Sequence, residues 1–161
     1  MIDTTGRYIA RAGELFNRRF KPIEVLFDLK GKTAGIYRVQ RGTRAIRYNP
    51  WILSKYFDHG LANTVPHEVA HYIADKMYGL ARIRPHGDEW RNIMLGFGAD
   101  PVRTCDYDLG GIPSRQYRTF AYRCGCTEHA FTSRRHNQVV NRGKVYFCRK
   151  CRSKVVAVND Y

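Results

Sequence analysis

Apolar residues recur at intervals of three and four in three stretches of the chain, and this spacing is typical of amphipathic helices. It predicts helices over residues 4–19, over 63–79 and from 88 to 96. A shorter helix is predicted over 50–57. Small polar residues at the helix starts are the expected caps, namely Asp3 or Thr4 for the first helix and Asn63 or Thr64 for the helix at 63–79.

Three short segments rich in β-branched and aromatic residues predict strands at 23–29, 34–40 and 44–49. The turn-forming sequences GKT and RGT separate these strands, so an antiparallel meander is expected. Together with the helices, this pattern predicts an α+β core. In this core an N-terminal helix and a three-stranded antiparallel sheet precede the helix at 63–79 and the helix that follows it.

The pattern changes in the C-terminal third of the chain. Residues 98–118 contain glycine and proline without a clear period, which indicates a linker or a loop laid across the first domain. From residue 119 onward only short β-like runs occur, among them VVN at 139–141. The expected division is therefore a core over 1–97, a connecting segment over 98–118 and a small β domain over 119–161.

Positive charge is concentrated in the same small domain. The net charge of the chain is +14, and residues 115–161 hold 11 basic and 2 acidic residues, a local excess of +9. Such a surface attracts polyanions, of which nucleic acid is the commonest in a cytosol. No apolar run approaches the roughly 20 residues that span a bilayer, and the N-terminal stretch lacks a signal-peptide pattern. A cytoplasmic monomer without membrane contact, in association with the nucleoid if it binds DNA, is expected.

The stretch VPHEVAH, residues 65–71, places two histidines four positions apart in a predicted helix. Side chains at i and i+4 share one helix face, so His67 and His71 can bind one Zn²⁺. Glu68 is rotated by about 100° from His67, which suits it to hydrogen-bond a water in an open coordination position. Zinc lowers the pKa of that water to about 7, and the carboxylate can take its proton as it attacks a carbonyl. The motif alone also allows an ordinary helix with core or surface histidines.

A catalytic zinc usually has three protein ligands and leaves its fourth position to water. His86, in PHGDEW at 85–90, is the best third ligand because the loop before it is long enough to turn the chain back. Asp88 and Glu89 are rival ligands, or could orient an imidazole. Two further histidines lack such a setting and are expected at the surface, His59 and His136.

Four of the five cysteines form a second metal signal, in YRCGCTEH at 122–129 and YFCRKC at 146–151. A closed tetrahedral zinc site needs four ligands, and five candidates are present. The favoured set is Cys126, His129, Cys148 and Cys151, with Cys124 in place of His129 as the close alternative. A β unit with so little core would need the metal to fold, although reduced thiols without a metal are the simpler possibility. Cys105 is assigned no role.

The same segment is predicted to contact nucleic acid, because lysine and arginine contact phosphates and aromatic rings can stack on unpaired bases. The candidate phosphate contacts are Arg134, Arg135, Arg142, Lys144, Arg149 and Lys150. Four aromatic residues lie between these positions, and such residues are more often core than stacking platforms. They are Tyr122, Phe131, Tyr146 and Phe147.

Three stretches resemble the bacterial SprT-type proteins, a group related to the Spartan-type proteases that digest proteins crosslinked to DNA. VPHEVAHYIADKMYG, RPHGDEW and YRCGCTEHAFTSRRHNQVVNRGKVYFCRKC occur in the matching order, and the resemblance covers residues 40–155. It implies a zincin-like metalloprotease core with His67, His71 and His86 on zinc and Glu68 as catalytic base. It also implies a C-terminal zinc ribbon and action near DNA. Cys-x-Cys in place of Cys-x2-Cys is a departure from a common ribbon pattern.

Two functions of different classes follow from these expectations. The first is a zinc-dependent metalloendopeptidase with one catalytic and one structural Zn²⁺, acting on DNA-bound or DNA-crosslinked proteins and hence in DNA–protein crosslink repair. Its substrate is expected to pair with the last predicted strand, near residues 45–48. The second is a nucleic-acid-binding regulatory zinc protein whose zincin domain is a non-proteolytic scaffold. A broad peptidase without a nucleic-acid role is a weaker third reading.

Overall fold

The computed structural model describes residues 1–113 and 118–158. The chain forms two compact units, residues 1–114 and 115–161, and both contain helix and strand. The fold is therefore mixed α+β, as the sequence pattern predicts. Across the described ranges, no helix combines the length and the apolar character that crossing a membrane would require.

Helices supply most of the first unit. They are α1 (Ile2–Leu15), α2 (Pro50–Lys55), the short α3 (Phe57–His59), α4 (Val65–Tyr78) and α5 (Asp88–Gly96). A π-helical turn over Gly60–Thr64 joins α3 to α4, so the backbone is already helical before Val65. The expectation that the side chain of Asn63 or Thr64 caps α4 is therefore wrong. The backbone carbonyls of the preceding turns already accept the N–H groups that a capping side chain would otherwise accept. Neither Asp3 nor Thr4 caps α1, because both lie inside that helix.

The sheet of the first unit has the strand order β1-β3-β2, with β1 (Glu24–Leu26), β2 (Gly35–Gln40) and β3 (Thr43–Tyr48). β2 and β3 form an antiparallel hairpin. The two residues of its turn, Arg41 and Gly42, have φ values of 49° and 82°, as a tight hairpin turn requires. β1 pairs with β3 in parallel, so the predicted three-stranded antiparallel meander is wrong.

β3 is the central strand of this sheet and also its most buried one, with Ala45, Ile46 and Tyr48 all buried. Residues 27–34 carry the chain past the end of this strand to its other side. The Leu29 N–H donates to the Tyr48 carbonyl at 3.2 Å, and the Asn49 N–H donates to the Ala34 carbonyl at 2.8 Å. Both edges of β3 are thus paired, and the predicted substrate pairing at residues 45–48 is excluded. Among the described strands of this sheet, β2 is the edge beside α4.

Residues 98–113 belong to the first unit and contact its helices. The Lys55 ammonium contacts the Asp108 carboxylate at 2.8 Å, and the Tyr56 hydroxyl donates to the Asp108 carbonyl. The Tyr107 hydroxyl lies 2.9 Å from Nδ1 of His59 and 3.1 Å from the hydroxyl of Thr64. The segment therefore lies across the surface that surrounds the start of α4.

A buried polar network joins α4 to the sheet. Asp75 on α4 accepts hydrogen bonds from the Arg44 guanidinium at 2.6 Å and from the Tyr37 hydroxyl at 2.5 Å. Burial alone would raise the pKa of Asp75, but the hydrogen bonds from Arg44 and Tyr37 outweigh it and lower that pKa below 3.8. The carboxylate is therefore held in its charged form, and the network aligns α4 with β2 and β3.

We expect Asp75→Asn to lower the free energy of unfolding of the first unit by about 2–3 kcal/mol at pH 7, because a charge-assisted hydrogen bond to a buried carboxylate is lost. A depressed folded-state pKa contributes stability above the unfolded pKa, and this contribution is lost as pH falls through the folded value. The difference in the free energy of unfolding between wild type and Asp75→Asn should therefore be largest at pH 6–7 and should shrink below pH 4.

The measurement is urea unfolding followed by tryptophan fluorescence, since both tryptophans, Trp51 and Trp90, lie in the first unit. Asp28→Asn is the matched control, because Asp28 pairs with Arg47 at 2.8 Å but is half exposed. Loss of an exposed pair should change stability by less than about 1 kcal/mol. Equal effects of the two substitutions would contradict the role given to Asp75.

The second unit is a four-stranded antiparallel sheet with one helix. Its elements are β4 (Thr119–Arg123), β5 (Glu128–Thr132), α6 (Ser133–Arg142), β6 (Tyr146–Phe147) and β7 (Lys154–Ala157), in the strand order β5-β4-β7-β6. The predicted strand VVN at 139–141 is wrong, because these residues belong to α6. Val139 packs against the core at helical spacing from His136, and Gly143 ends the helix with φ of 62°.

The apolar core of the second unit is small. Its buried members are Tyr122, Phe131, Cys148 and Val155. Among the described residues, the first unit buries 15 hydrophobic residues in one cluster, mainly from α1, the sheet, α2, α4 and α5. The hydrophobic contribution to folding, which scales with buried apolar area, is therefore much smaller in the second unit, and a crosslink through a metal ion would add to its stability.

Candidate metal centres

Three histidines of the first unit meet at one point. His67 and His71 lie one turn apart on α4, and His86 approaches from the loop before α5. Their Nε2 atoms are 3.2 Å (His67–His71), 3.1 Å (His71–His86) and 3.0 Å (His67–His86) apart. The three imidazoles thus converge through the same ring atom, and in the described part of the chain they form one of two groups that could bind a metal ion.

The donor geometry fits a metal ion. Ligands that bind a tetrahedral Zn²⁺ at about 2.0–2.1 Å stand about 3.3–3.4 Å from one another, close to the observed nitrogen separations. Burial lowers the pKa of His67 to about 4 and that of His71 to about 3, so both rings are neutral and carry a free lone pair. Burial, with the nearby Arg103 charge, also lowers the pKa of His86. Neutral imidazoles are the form that binds metals.

A strained turn aims His86 at the two helical histidines. The Gly87 N–H donates to the Arg84 carbonyl at 2.9 Å, which closes a four-residue turn with Pro85 and His86 at its centre. His86 has φ of 57°, the left-handed value that the third position of a type II turn requires and that a side chain rarely adopts. Such strain costs about 1 kcal/mol or more and persists where the surrounding structure enforces it. Pro85 favours this turn because it suits the second position.

Trp90 forms the wall behind the three histidines. Its ring centroid lies 4.7 Å from that of His67, 5.6 Å from that of His71 and 4.8 Å from that of His86. Its indole N–H donates to the His67 carbonyl at 3.2 Å, and the side chain is fully buried. Trp90 therefore excludes water from one side of the site and holds the rings in position. In the sequence, Trp90 is one of the apolar residues whose spacing predicts the helix from 88 to 96.

Glu68 is buried beside the histidines and is held by the edge strand. Its Oε2 accepts the Tyr37 backbone N–H at 2.6 Å. A Cβ atom at Gly35 would lie 2.9 Å from Glu68 Cγ and 2.8 Å from Thr64 Cγ2, so only glycine permits this close packing of β2 on α4. Burial raises the pKa of Glu68 to about 8, against the opposing hydrogen bond from Tyr37. The carboxyl group thus has the affinity for a proton that a general base needs.

The site opens into two connected clefts. The larger, of ≈ 520 Å³, lies between β2 and the loop at 80–86, with His67, His71 and His86 in its lining. The smaller, of ≈ 260 Å³, lies between residues 32–35 and 100–107. Both clefts include Gly35, His67, Glu68 and Arg103 in their walls, so they meet at the glutamate. A substrate on either side would reach the same residues.

The other candidates of the first unit lie outside this group. Asp88 is exposed and Glu89 is half-buried, and neither belongs to a group that could hold a metal within the described residues. His59 is exposed and contacts Tyr107. In the second unit, His136 is half-buried, stacks on Phe120 with ring centroids 3.6 Å apart and contacts the Tyr122 hydroxyl.

The second group that could bind metal consists of four cysteines. Cys124, Cys126, Cys148 and Cys151 place their sulfur atoms within 4.8 Å of one another. The Cys124–Cys126 and Cys126–Cys148 sulfur separations are 3.6 Å and 3.7 Å. Thiolates that bind tetrahedral zinc at about 2.3 Å stand about 3.8 Å apart, so the donor set is consistent with zinc. The structure brings together the alternative set that contains Cys124, while the His129 ring contacts the Cys124 sulfur at 3.2 Å.

The electrostatics of this cluster also favour a cation. Backbone N–H groups of Cys151 and Lys150 lower the pKa of the Cys148 thiol, and the Ser153 hydroxyl lowers that of Cys151 to about 6. Hydrogen bonds to Cys151 and Cys124 raise the pKa of Cys126 to about 12. The thiols of Cys148 and Cys151 therefore ionise readily, whereas that of Cys126 resists ionisation. A bound metal ion would relieve the repulsion between the neighbouring thiolates.

The basic residues of the second unit lie on its surface. All six predicted nucleic-acid contacts are exposed, on α6 or on the segment from 144 to 150: Arg134, Arg135, Arg142, Lys144, Arg149 and Lys150. Tyr122 and Phe131 are buried and Tyr146 is half-buried, whereas Phe147 is 66 % exposed. Of the four aromatic candidates, Phe147 alone presents a largely open ring.

Four contributors to the first site were missed from the sequence: Gly35, Tyr37, Trp90 and Arg103. The first two lie about 30 residues from Glu68 in a strand, and long-range proximity has no signal in local spacing. Trp90 could have been suspected from its position four residues after His86, which places it on the first turn of the following helix. The sequence of residues 98–107 has no periodicity that would point to Arg103.

The fold and the two centres define a class: a mixed α+β protein with a three-histidine group beside a buried glutamate, and a separate unit with a four-cysteine group. A family model described as SprT-like family matches residues 6–106. The chain belongs to this family. Family membership suggests a metalloprotease-type function.

Several curated proteins are similar over most of the chain. Protein SprT of Pseudomonas paraeruginosa is 39 % identical over 150 residues, which cover 91 % of this chain and 87 % of that protein. Protein SprT of Vibrio parahaemolyticus is 38 % identical over 144 residues, covering 89 % and 83 %. Protein SprT of Actinobacillus succinogenes is 34 % identical over 151 residues, covering 94 % and 85 %. No solved structure matches the chain.

Proposed function

We propose that this protein is a zinc-dependent metalloendopeptidase that acts on proteins bound or crosslinked to DNA. The observation that supports hydrolysis best is the convergence of three neutral imidazoles, 3.0–3.2 Å apart, next to a buried glutamate that is not one of them. Three protein ligands leave one position of a tetrahedral ion for water, which is the arrangement of catalytic rather than structural zinc.

His67, His71 and His86 would hold the zinc ion, and Glu68 would act as general base. Zinc in such a site supplies a polarised water and stabilises negative charge on a substrate carbonyl. Glu68 accepts a proton from the attacking water and passes it to the leaving amine. The Tyr37 N–H orients the carboxylate for both transfers, because it holds one oxygen and leaves the other free. Burial of Glu68 behind β2 keeps competing solvent away from the proton.

The edge of β2 is the surface on which an extended substrate would bind. The Tyr37 N–H points to Glu68 and so away from β3, and Gly35 and Val39 have the same orientation in an antiparallel strand. These residues line the larger cleft. The Tyr37 N–H is engaged by Glu68, but the outward backbone groups of Gly35 and Val39 and the Tyr37 carbonyl could pair with a polypeptide that enters beside the histidines, which is strand addition to an open sheet edge.

The direct test is cleavage of a protein crosslinked to DNA, with zinc supplied and with a chelator present. Zinc-dependent cleavage that requires Glu68 is the expected result. Cleavage of free casein at the same rate with and without DNA would support a broad peptidase instead. Tight DNA binding with no cleavage under any of these conditions would support the alternative, a nucleic-acid-binding regulatory protein on a non-proteolytic zincin scaffold.

The role of DNA rests on the second unit. Its six exposed basic candidates lie on one short helix and the following segment, and the open ring of Phe147 is opposite Lys154 across a strand pair. Base stacking on an exposed aromatic ring, combined with phosphate contacts, is a common mode of single-strand binding. The second zinc, held by the four cysteines, would be structural and would fix the scaffold that carries these groups.

Replacing Arg134 and Arg135 by alanine is expected to weaken DNA binding and to flatten its salt dependence. Each lost phosphate contact lowers the slope of log K against log salt by about 0.7 for single strands and 0.9 for duplex, so the slope should fall by about 1.4–1.8. Fluorescence anisotropy with a labelled oligonucleotide, between 50 and 200 mM salt, measures both quantities. Arg7→Ala with Arg91→Ala, two exposed helix positions of the first unit, is the control pair. An unchanged slope would remove α6 from the DNA contact.

A further inference from the structure

Two arginines in the cleft walls have no role in the proposed hydrolysis. Arg84 lies in the loop before His86, and Arg103 lies in the segment between α5 and the end of the first unit. Both line the ≈ 520 Å³ cleft that contains the three histidines. Arg103 also lines the smaller cleft, so it lies where the two meet. A group bound along β2 would therefore pass close to both guanidinium groups.

Neither arginine forms a salt bridge with an acidic residue in the part of the chain that the structure describes. Among residues 1–113 and 118–158, the salt bridges join Arg44 to Asp75, Arg47 to Asp28 and Lys55 to Asp108. Arg84 and Arg103 are exposed and take part in none of them. Exposed guanidinium groups in a concave site are free to pair with a carboxylate or another anion of a bound ligand, with two parallel hydrogen bonds when the geometry allows.

The remaining charges in the clefts do not neutralise these two. The lining of the smaller cleft includes both Lys32 and Asp100, and the only other carboxyl group in either lining is that of Glu68, which Tyr37 holds. Arg103 lines both clefts together with His67 and Glu68, so its positive charge lies beside the centre. The substrate side of the cleft therefore has an excess of positive charge.

Apolar side chains line the same cleft as these charges. Val39, Leu80 and Ile83 line the same cleft as Arg84 and Arg103. A surface that combines apolar side chains with single cations, along a strand edge with outward backbone groups, matches an extended polypeptide more closely than a continuous row of phosphates. A nucleic acid strand would need basic residues along its whole path, and the cleft does not provide them.

We propose that Arg84 and Arg103 make the cleft selective for polypeptide segments that carry aspartate or glutamate next to the bond to be cleaved. This inference rests on the proposed peptidase function and names its substrate class. The two arginines act as specificity residues: they pair with acidic side chains on either side of the histidine centre, while β2 holds the backbone between them.

The test measures binding rather than turnover, in the Glu68→Gln background loaded with zinc. Two fluorescent decapeptides that differ only by Glu or Gln at the positions flanking the central bond are titrated at low salt. The Glu peptide is expected to bind about tenfold more tightly, and the preference should weaken as salt is raised. Adding Arg84→Ala and Arg103→Ala should reduce the affinity for the Glu peptide to that for the Gln peptide. A third decapeptide carries Lys at the same flanking positions. Arg103→Glu should bind this Lys peptide more tightly than the Glu peptide.

Arg82→Ala is the matched control, because Arg82 is exposed in the same loop but does not line the cleft. It should keep the preference for Glu. The proposal is overturned if the Glu and Gln peptides bind with equal affinity or if neither peptide binds. It is also overturned if the preference for Glu survives in the double alanine variant. An oligothymidylate that binds through Arg84 and Arg103 when the peptides show no preference would overturn it as well.

The outcome separates this inference from the proposed function. If the wild-type protein with zinc does not cleave a DNA-crosslinked protein while the Glu preference depends on both arginines, the hydrolytic function fails and the acidic-peptide site stands. If both peptides are cleaved at the same rate and bound with the same affinity, hydrolysis stands and the selectivity fails.

Discussion

Glu68→Gln is expected to reduce hydrolysis of a DNA-crosslinked protein by about 10²–10⁴-fold, the usual contribution of a positioned general base. Glutamine has the same shape, and its carbonyl oxygen can still accept the Tyr37 N–H. It cannot take a proton from water at neutral pH, so the chemical step loses its base. The three histidines are unchanged, and zinc content measured by mass spectrometry should remain at the wild-type value.

Glu89→Gln is the matched control for this experiment. Glu89 is a half-buried carboxylate three residues beyond His86, and it lies outside the histidine group. Its replacement should leave the rate within about twofold, the size of effect that ordinary surface changes produce. Equal cleavage by wild type and Glu68→Gln would exclude Glu68 as the base. Loss of zinc from the Glu68→Gln variant would show that the residue binds or supports the metal instead.

The second large effect concerns the four cysteines. Cys148→Ser is expected to unfold the second unit and to lower the zinc content from two ions per chain to one. A structural zinc contributes about 10–16 kcal/mol of apparent binding free energy, and a unit with only four buried core residues has little else to offset its loss. Heteronuclear NMR should show loss of dispersed amide signals from residues 118–158. Tryptophan fluorescence, which reports on the first unit, should not change.

Three further variants make the ligand assignment decisive. Cys105→Ser changes an exposed cysteine of the first unit and should keep both zinc ions. If the four-cysteine set binds the ion, Cys124→Ser should lose one zinc while His129→Ala keeps two. The reverse result would restore the set of Cys126, His129, Cys148 and Cys151. A folded second unit in Cys148→Ser without its zinc would contradict the structural role of the metal.

The sequence predicted the local elements with most success, and the structure brings together the three histidines that the sequence named as candidate ligands. Periodicity located α4 and α5, and the i, i+4 spacing placed His67 and His71 on one helix face because helix geometry alone determines that relation. His86 was also anticipated, and it meets the other two rings in the structure. These predictions succeeded because each depends on residues within a single helix or within about 20 positions of it.

Predictions that depended on long-range pairing were less successful. The antiparallel meander was wrong because local turn signals cannot reveal that residues 27–34 pass the end of β3 and leave β1 parallel to it. The strand expected at 139–141 is part of α6, because packing of Val139 on a core that is distant in sequence outweighs the β propensity of two valines. The sheet edge beside α4 is consequently formed by β2 and not by β3.

Taken alone, the sequence determined which side chains are able to bind metal, which carboxylate stands beside them, and where the positive charge of the chain is concentrated. Only the tertiary structure decided that Tyr37 holds Glu68, that Trp90 closes the back of the site, that Cys124 joins the sulfur cluster, and that Arg84 and Arg103 face one cleft. The physical reason is that composition and short spacing act through local backbone geometry, whereas these contacts arise from the packing of segments far apart in the chain.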